Sequence, residues 1–200
     1  SLVHTVTLSG ASAVATTHSF SLSGVSATAG ADFSTTAVFS DGVTLAAGVL
    51  TVPAGVTSFT VSVPTLQDTI DEPAETTSIV VGGVSASGTI TDDDLPPTIT
   101  TVEPGSAGVG DDAVVEGTSL VYNVALSNAS SVATTFAFSL GGGSASASDF
   151  TNAPTFSNGV SLAGGIITVP AGVTSFSVSV PTIGQWVARL PSTARAALGA

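Results

Sequence analysis

The chain has 200 residues, of which 43% are hydrophobic and only 8% are charged, whereas roughly a quarter of the residues of an average globular protein are charged. Fourteen acidic residues oppose two arginines, Arg189 and Arg195, and there is no lysine and no cysteine. This composition excludes a surface that neutralises nucleic-acid phosphates, a lysine-dependent phosphate loop, a disulfide framework and a thiolate metal site. We therefore expect no nucleic-acid partner.

The sequence contains no apolar run of roughly 18 residues, the length that a membrane-spanning helix needs. It also opens without the pattern of a signal peptide. Ser1-Leu2-Val3 already belongs to a strand-like pattern, so we expect a mature or excised piece of a longer protein. We also expect no direct membrane span.

Apolar residues recur at every second position in the first part of the chain, as at Leu2, Val6 and Leu8, with Ser and Thr in most of the alternate places. A period of two predicts half-buried β-strands. The same pattern predicts further strands, separated by turns rich in Gly, Pro and Asp, over residues 14–22, 49–52, 58–63, 77–81 and 87–91. Apart from the last dozen residues, no segment has a helical period. The spacing of the strands is typical of an antiparallel all-β sandwich.

An internal repeat organises the chain. Residues 51–59 read TVPAGVTSF, and residues 168–176 repeat the same nine letters 117 positions later. Upstream, Ser1-Leu2-Val3 matches Ser119-Leu120-Val121 with an offset of 118. A period of this length corresponds to one small domain, so the sequence predicts two β-sandwiches in tandem.

The two repeats are incomplete in different ways. The first repeat, residues 1–94, begins at what would be its second strand, and Leu95-Pro96-Pro97 follows it as a boundary, because consecutive prolines do not fit a central strand. Residues 95–113 form a linker that contains a candidate first strand for the second repeat. The second repeat, residues 114–182, lacks everything that corresponds to residues 68–94.

Half of the acidic residues lie in one stretch of the first repeat, at the ends of predicted strands. They are Asp68, Asp71, Glu72, Glu75, Asp92, Asp93 and Asp94. Carboxylates gathered without a basic residue repel one another more strongly as water is excluded, so a fold that collects them needs a cation or must keep them apart. Calcium suits such a set because it takes roughly six to eight oxygen ligands in flexible geometry. The alternative is that these acids only lie on solvated loops.

Four short segments of the first repeat form a pattern: Ala31-Asp32-Phe33, the run VPAGVTS that precedes a Val-Ser-Val-Pro strand, residues 68–76 (DTIDEPAET) and residues 88–94 (GTITDDD). Together these segments resemble the Calx-β domain family. The resemblance implies an immunoglobulin-like β-sandwich that binds calcium at one end. The calcium ligands that it implies are Asp32, Asp68, Glu72, Glu75, Asp92, Asp93 and Asp94.

The second repeat keeps only Glu116 and Asp149 of the ligand set that the resemblance implies. We expect this second calcium site to be weak or absent unless Asp111, Asp112 or another chain contributes ligands. The two repeats are thus predicted to differ in calcium binding although they share their strand pattern.

The sequence offers little for catalysis. His4 and His18 are the only imidazoles, and they align with Tyr122 and Phe136 of the second repeat, so we expect them to pack in the core. Paired carboxylates also occur in glycoside hydrolases, but one Trp and one Tyr are too few to line a sugar-binding cleft. We therefore predict that the protein is not an enzyme.

The last residues, 183–200, form a tail of different composition that begins inside a short match to a sorting signal. Residues 181–186 read PTIGQW and resemble the opening of the IPTL-type carboxy-terminal signal of Gram-negative surface proteins. The resemblance implies an extracellular or cell-surface location.

These observations predict a structural or adhesive extension module of a secreted or cell-surface bacterial protein, rigidified by calcium. The alternative is a calcium-sensing regulatory module of a larger protein. Because each repeat leaves strand edges unpaired, we also expect head-to-tail self-association by strand exchange.

Overall fold

The computed structural model describes residues 1–105, 113–141 and 143–184. Within these ranges every regular element is a β-strand, which confirms the predicted all-β fold. The chain divides into two compact units, Ser1–Leu95 and Pro96–Ala200, which we call unit 1 and unit 2. No helix of the described residues has the length and apolar character to cross a membrane.

Unit 1 is built from eight strands in two antiparallel sheets. The strands are β1 (Leu2–Thr7), β2 (Thr16–Gly24), β3 (Val38–Phe39), β4 (Thr44–Ala46), β5 (Val49–Val52), β6 (Ser58–Val63), β7 (Glu75–Val81) and β8 (Val84–Ile90). One sheet has the order β1-β6-β3 and the other has the order β4-β5-β2-β7-β8. In this arrangement β1 and β8 are edge strands.

The core of unit 1 follows from the alternation in its strands. Phe59, Val61 and Val63 of β6 are buried at every second position, while Leu50 and Val52 of β5 in the other sheet are buried in the same cluster. Alternate residues point to opposite faces of a strand, so each sheet turns one apolar face towards the other. Unit 1 is therefore a two-layered β-sandwich.

Unit 2 is built from seven strands among the described residues. They are β9 (Ile99–Pro104), β10 (Ser119–Leu126), β11 (Thr134–Ala137), β12 (Thr155–Phe156), β13 (Ser161–Ala163), β14 (Ile166–Val169) and β15 (Ser175–Pro181). One sheet has the order β12-β15-β10-β9 and the other has the order β11-β14-β13.

The internal repeat is visible in the strand pairing. The β12-β15-β10 set of unit 2 corresponds to β3-β6-β1, and β11-β14-β13 corresponds to β2-β5-β4. Even single backbone hydrogen bonds recur: the Phe20 N–H donates to the Gly48 carbonyl at 2.8 Å, and the Phe138 N–H donates to the Gly165 carbonyl at 2.8 Å. Unit 1 has no counterpart of β9, and the described part of unit 2 has none of β7 and β8.

Two strand bounds differ from the sequence prediction. The pairing of β7 with β8 runs from Glu75 to Val81 and from Val84 to Ile90, whereas the sequence predicted strands over 77–81 and 87–91. The reason is the turn Gly82-Gly83, whose φ angles of 57° and 87° close a two-residue hairpin, so that Val81 pairs directly with Val84.

The candidate first strand of the second repeat does pair within the chain, as predicted. Strand β9 lies antiparallel to β10, with Val102 opposite Val124. Of the predicted linker, residues 95–113, the structure places Ile99–Pro104 in this strand. Asp111, Asp112 and residues 185–200, which include most of the tail and the two arginines, lie outside the described residues.

Candidate metal centre

One small cleft at an end of unit 1 collects all the residues that the sequence predicted as ligands there. Its acidic lining consists of Asp32, Asp68, Glu72, Glu75, Asp92, Asp93 and Asp94. The cavity has a volume of 30 Å³, whereas pockets for small organic ligands usually measure about 300 Å³ or more. We call this set of seven residues and the space between them the acidic cleft.

Asp32 is held at the bottom of the cleft by its own loop. It is only 7% exposed and its side chain accepts a hydrogen bond from the Thr28 N–H. Its carbonyl accepts a hydrogen bond from the Leu66 N–H at 2.9 Å, which joins the loop to the segment after β6. The next residue, Phe33, is fully buried and anchors the loop in the core. In the Ala-Asp-Phe sequence, the buried phenylalanine therefore fixes the position of the neighbouring carboxylate.

Glu72 and Glu75 approach Asp32 from the segment that leads into β7. The carboxylate oxygens of these three residues lie within 4.8 Å of one another. Burial raises the pKa of Glu75 to about 7, with further contributions from a hydrogen bond to Asp32 and from the charges of Asp32 and Glu72. The pKa of Glu72 is also raised, first by burial and then by the negative charges of Asp32, Asp68 and Asp92. Without a cation, Glu72 and Glu75 are therefore harder to ionise than ordinary glutamates.

The acids after β8 form the second group of the cleft. The carboxylate oxygens of Asp92, Asp93 and Asp94 also lie within 4.8 Å of one another. Asp92 is oriented by two backbone donors, because it accepts hydrogen bonds from the Glu72 N–H at 2.8 Å and from the Asp94 N–H at 3.3 Å. The pKa of Asp94 is raised by desolvation and by its acidic neighbours, first among them Asp92 and Asp93.

Two more contacts shape the exposed rim of the cleft. The exposed Asp68 accepts a hydrogen bond from the Ile70 N–H at 2.8 Å, which folds the loop after β6 into a turn. The Gln67 side chain donates to both carboxylate oxygens of Asp93, at 3.0 and 3.1 Å. The rim therefore links the loop between β6 and β7 to the chain that leaves β8.

The donor set of the cleft fits a hard metal ion. Every ionisable side chain in the lining offers carboxylate oxygen, and none offers imidazole nitrogen or sulfur. The described residues contain no Lys or Arg to balance the charge. Carboxylates this close together repel one another, and a cation bound between them offsets this repulsion. The acidic cleft thus has the residues to hold a metal ion.

Glu116 and Asp149, the weaker site predicted in unit 2, line one cavity of 240 Å³. The Asp149 side chain is hydrogen-bonded within its own loop. It accepts hydrogen bonds from the Ser146 N–H at 2.6 Å and from the Ser146 hydroxyl at 2.8 Å. These hydrogen bonds lower its pKa. Among the described residues, no third His, Cys, Asp or Glu joins the two acids in a metal-sized group.

The two histidines lie in unit 1 on the half-buried faces of their strands. They line a cavity of 300 Å³ that has no acidic residue in its lining. The His18 Nε2 atom lies 3.3 Å from the Thr16 hydroxyl, and the His4 Nε2 atom is buried without a hydrogen-bond partner. This cavity therefore offers imidazole and hydroxyl groups but no carboxylate.

Sequence reasoning missed the groups that orient the carboxylates. The donors to Asp32, Asp68 and Asp92 are backbone N–H groups, which every residue except proline carries, so no residue type signals them. Gln67 is the exception, because an amide between a strand end and an acidic run is a donor that can be read from the sequence.

Comparison of the chain with protein-family models, with curated proteins and with solved structures gives no match. The Calx-β resemblance and the immunoglobulin-like type of sandwich therefore stay predictions. The functional assignment depends on the residues of the acidic cleft.

Proposed function

We propose that unit 1 binds calcium in the acidic cleft and that the chain is a structural or adhesive extension module of a secreted or cell-surface bacterial protein, stiffened by that ion. The observation that carries the calcium proposal is the lining of the cleft, where seven acidic residues from separate loops and strand ends surround one space and six of them form two close groups of three. The resemblance of the same residues to the Calx-β pattern supports the same ion.

Calcium suits this lining better than the other common divalent ions. Zinc prefers nitrogen and sulfur ligands, which the cleft lacks. Magnesium usually keeps several waters and takes only one or two carboxylates. Calcium accepts many carboxylate and carbonyl oxygens in irregular geometry, so it makes use of both acidic groups of the cleft.

Calcium in the cleft would connect parts of unit 1 that are far apart along the chain. Asp32 precedes β3, Glu75 opens β7 and Asp92 follows β8. A ligand that binds only the folded state adds about 2.7 kcal/mol to the free energy of unfolding at a hundredfold excess over its Kd. A chain that is loose where calcium is scarce and stiff where calcium is abundant suits a protein that is exported before it folds.

The proposal is tested by calorimetric titration of the chain with calcium, together with thermal unfolding in calcium and in chelator. We expect saturable binding and a higher Tm in calcium. The double variant Asp92→Asn/Asp93→Asn should lose most of the rise in Tm, because amides bind calcium more weakly than carboxylates. An unchanged rise in this variant would refute the site.

The matched control for this double variant is Asp41→Asn. Asp41 is an exposed acid of unit 1 that does not line the cleft, and its φ of 56° is one that Asn tolerates. The control should keep the full effect of calcium. Solution scattering during the titration separates the two functions: a structural module keeps its dimensions, whereas a calcium sensor changes between two conformations.

A further inference from the structure

The comparison of the two units shows what closes a sandwich of this type. In unit 1, β7 pairs with the second half of β2, with Val81 opposite Phe20 and Ile79 opposite Leu22. Ile79 is only 2% exposed and belongs to the apolar core. Strand β7 therefore has two roles, since it satisfies the backbone of β2 and covers the core between the sheets.

The matching segment of unit 2 has no such partner. Residues 20–24 read FSLSG and residues 138–142 read FSLGG, so the sequence that receives β7 is repeated. In unit 2 only Thr134–Ala137 forms the strand β11, which pairs with β14. No strand of the described chain pairs with residues 138–141. The position that β7 occupies in unit 1 is thus not taken by any described strand in unit 2.

An apolar groove lies at this position. It has a volume of 370 Å³, and its lining includes Tyr122, Val124, Phe138, Leu140, Ile167 and Phe176. No charged residue lines it. We call this cavity the unit 2 groove.

Much of the lining of the unit 2 groove corresponds to the core of unit 1, although Ile99 and Val102 of β9 have no counterpart there. The counterparts of Val124, Phe138 and Phe176 in unit 1 are Val6, Phe20 and Phe59, and all three pack in the core that contains Ile79. Phe138 stacks edge-on against Phe156 with ring centroids 5.5 Å apart, as Phe20 does against Phe39 at 5.3 Å. The groove therefore presents the surface that β7 covers in unit 1.

We propose that the unit 2 groove is an acceptor site for an extended strand of β7 chemistry, donated by a separate polypeptide. The inward side chains of this strand follow the pattern Thr77, Ile79, Val81, which in unit 1 fills the same space. Such a strand pairs with residues 138–141 through its main chain and fills the groove with alternate side chains. Its inward positions are uncharged, because a charge buried in an apolar lining has no partner.

A second copy of the chain is the less favourable donor. Each chain contains one β7–β8 hairpin among its described residues, and this hairpin already closes unit 1. A copy that gave its hairpin away would open its own core, so exchange would fill one groove and empty another. A donor whose strand is not already part of a folded core avoids this cost.

The test uses the full chain and a labelled peptide of residues 75–90, which carries the sequence of β7 and β8. We expect saturable binding by fluorescence anisotropy, and slower amide hydrogen exchange at residues 138–141 when the peptide is bound. The peptide with Ile79→Asn and Val81→Asn should bind about tenfold or more weakly, because its inward face is polar. The protein variant Leu140→Asn should weaken binding similarly, whereas Leu162→Asn, on an exposed position of the same unit, should not.

Three results would overturn the proposal. The first is that the full chain does not bind the peptide. The second is binding that leaves exchange at residues 138–141 unchanged, which would place the peptide elsewhere even if Leu140→Asn failed to fold. The third is the formation of dimers that added peptide does not dissociate, which would make a second copy the occupant. Binding to the groove with the expected peptide specificity supports it.

Discussion

Asp32 and Asp149 are the same residue of two repeats, yet they have opposite surroundings. Each precedes a phenylalanine, and each gives its carbonyl to an equivalent N–H, from Leu66 at 2.9 Å and from Ile183 at 2.8 Å. The Asp32 carboxylate lies beside those of Glu72 and Glu75, whereas the Asp149 carboxylate accepts hydrogen bonds from Ser146 of its own loop. The same carboxylate position therefore belongs to a metal-sized acidic group in unit 1 but not in the described part of unit 2.

The difference between the units lies in one stretch of sequence. Residues 68–94 supply six of the seven acids of the cleft and also the β7–β8 hairpin that closes the core of unit 1. The described part of unit 2 has no counterpart of this stretch, and it has both an incomplete acidic set and an apolar groove. The proposed metal binding and the closure of the sandwich thus depend on the same segment.

The largest expected effect compares two equivalent core positions. Leu50 is fully buried in unit 1 and Ile167 is 2% exposed beside the unit 2 groove. Replacing a buried Leu or Ile by Ala costs about 2–5 kcal/mol, and the cost falls where the site can relax. We expect the loss in the free energy of unfolding to lie near the upper end of this range for Leu50→Ala and near the lower end for Ile167→Ala. Denaturant unfolding followed separately in each unit by NMR measures both, and equal losses would contradict the comparison.

The second expected effect concerns calcium affinity. Asp32→Asn keeps an acceptor for the Thr28 N–H but removes a charge from the buried group. We expect calcium affinity to fall about tenfold, or about 1.4 kcal/mol. Asp149→Asn is the matched change in unit 2 and should leave the calorimetric titration unchanged. If both variants weaken binding equally, the two sites are more alike than the structure indicates.

The third expected effect is a pH dependence in the absence of calcium. The pKa of Glu75 rises from 4.5 to about 7 on folding, so the folded state holds this proton more tightly than the unfolded chain. Its contribution to stability is fully present below pH 4.5 and is lost as the pH rises through 7. Solvent screening of a partly exposed group reduces the loss to about 1 kcal/mol.

Unfolding in chelator between pH 4 and pH 8 measures this loss, and Glu75→Gln should remove most of it. Asp149 should act in the opposite direction, because its lowered pKa stabilises the folded state at higher pH and this contribution is lost as the pH falls. A Glu75→Gln variant with an unchanged pH dependence would show that other groups cause it.

The smallest expected effect is that of Gln67→Ala. The side chain joins the loop after β6 to Asp93 by two hydrogen bonds at the exposed rim. Exposed hydrogen bonds contribute little, so we expect a loss of a few tenths of a kcal/mol without calcium. Thermal unfolding in chelator measures it, and a loss above about 2 kcal/mol would mean that the rim organises the whole cleft.

The fold and the acidic cleft could be predicted from different kinds of signal. Alternation of apolar and polar residues located most strands, because burial of one face imposes a period of two. The acids of the cleft could be listed because carboxylates without basic neighbours are conspicuous and because four short segments resemble a known family. Their hydrogen-bond donors could not, since backbone N–H groups carry no signal in the sequence.

Strand pairing was harder to predict where it depends on distant segments. Residues 138–141 have almost the same sequence as residues 20–23. Residues 20–23 form a strand paired with β7, whereas residues 138–141 have no such partner among the described strands and form no strand. Strand β8 starts earlier than its alternation suggests because the Gly82-Gly83 turn sets the register. In both cases tertiary pairing decides the local structure.

The order of the acids along the chain has a consequence for folding. Asp32 follows β2, while Asp92, Asp93 and Asp94 come after the last strand of unit 1. The proposed ligand set is complete only when contacts of long sequence separation have formed, and such contacts form late in folding. An ion held by all of them acts mainly on the native state, so calcium should slow the unfolding of unit 1 far more than it speeds its folding. Calcium in the cleft would then give the folded domain kinetic stability rather than help to nucleate its folding.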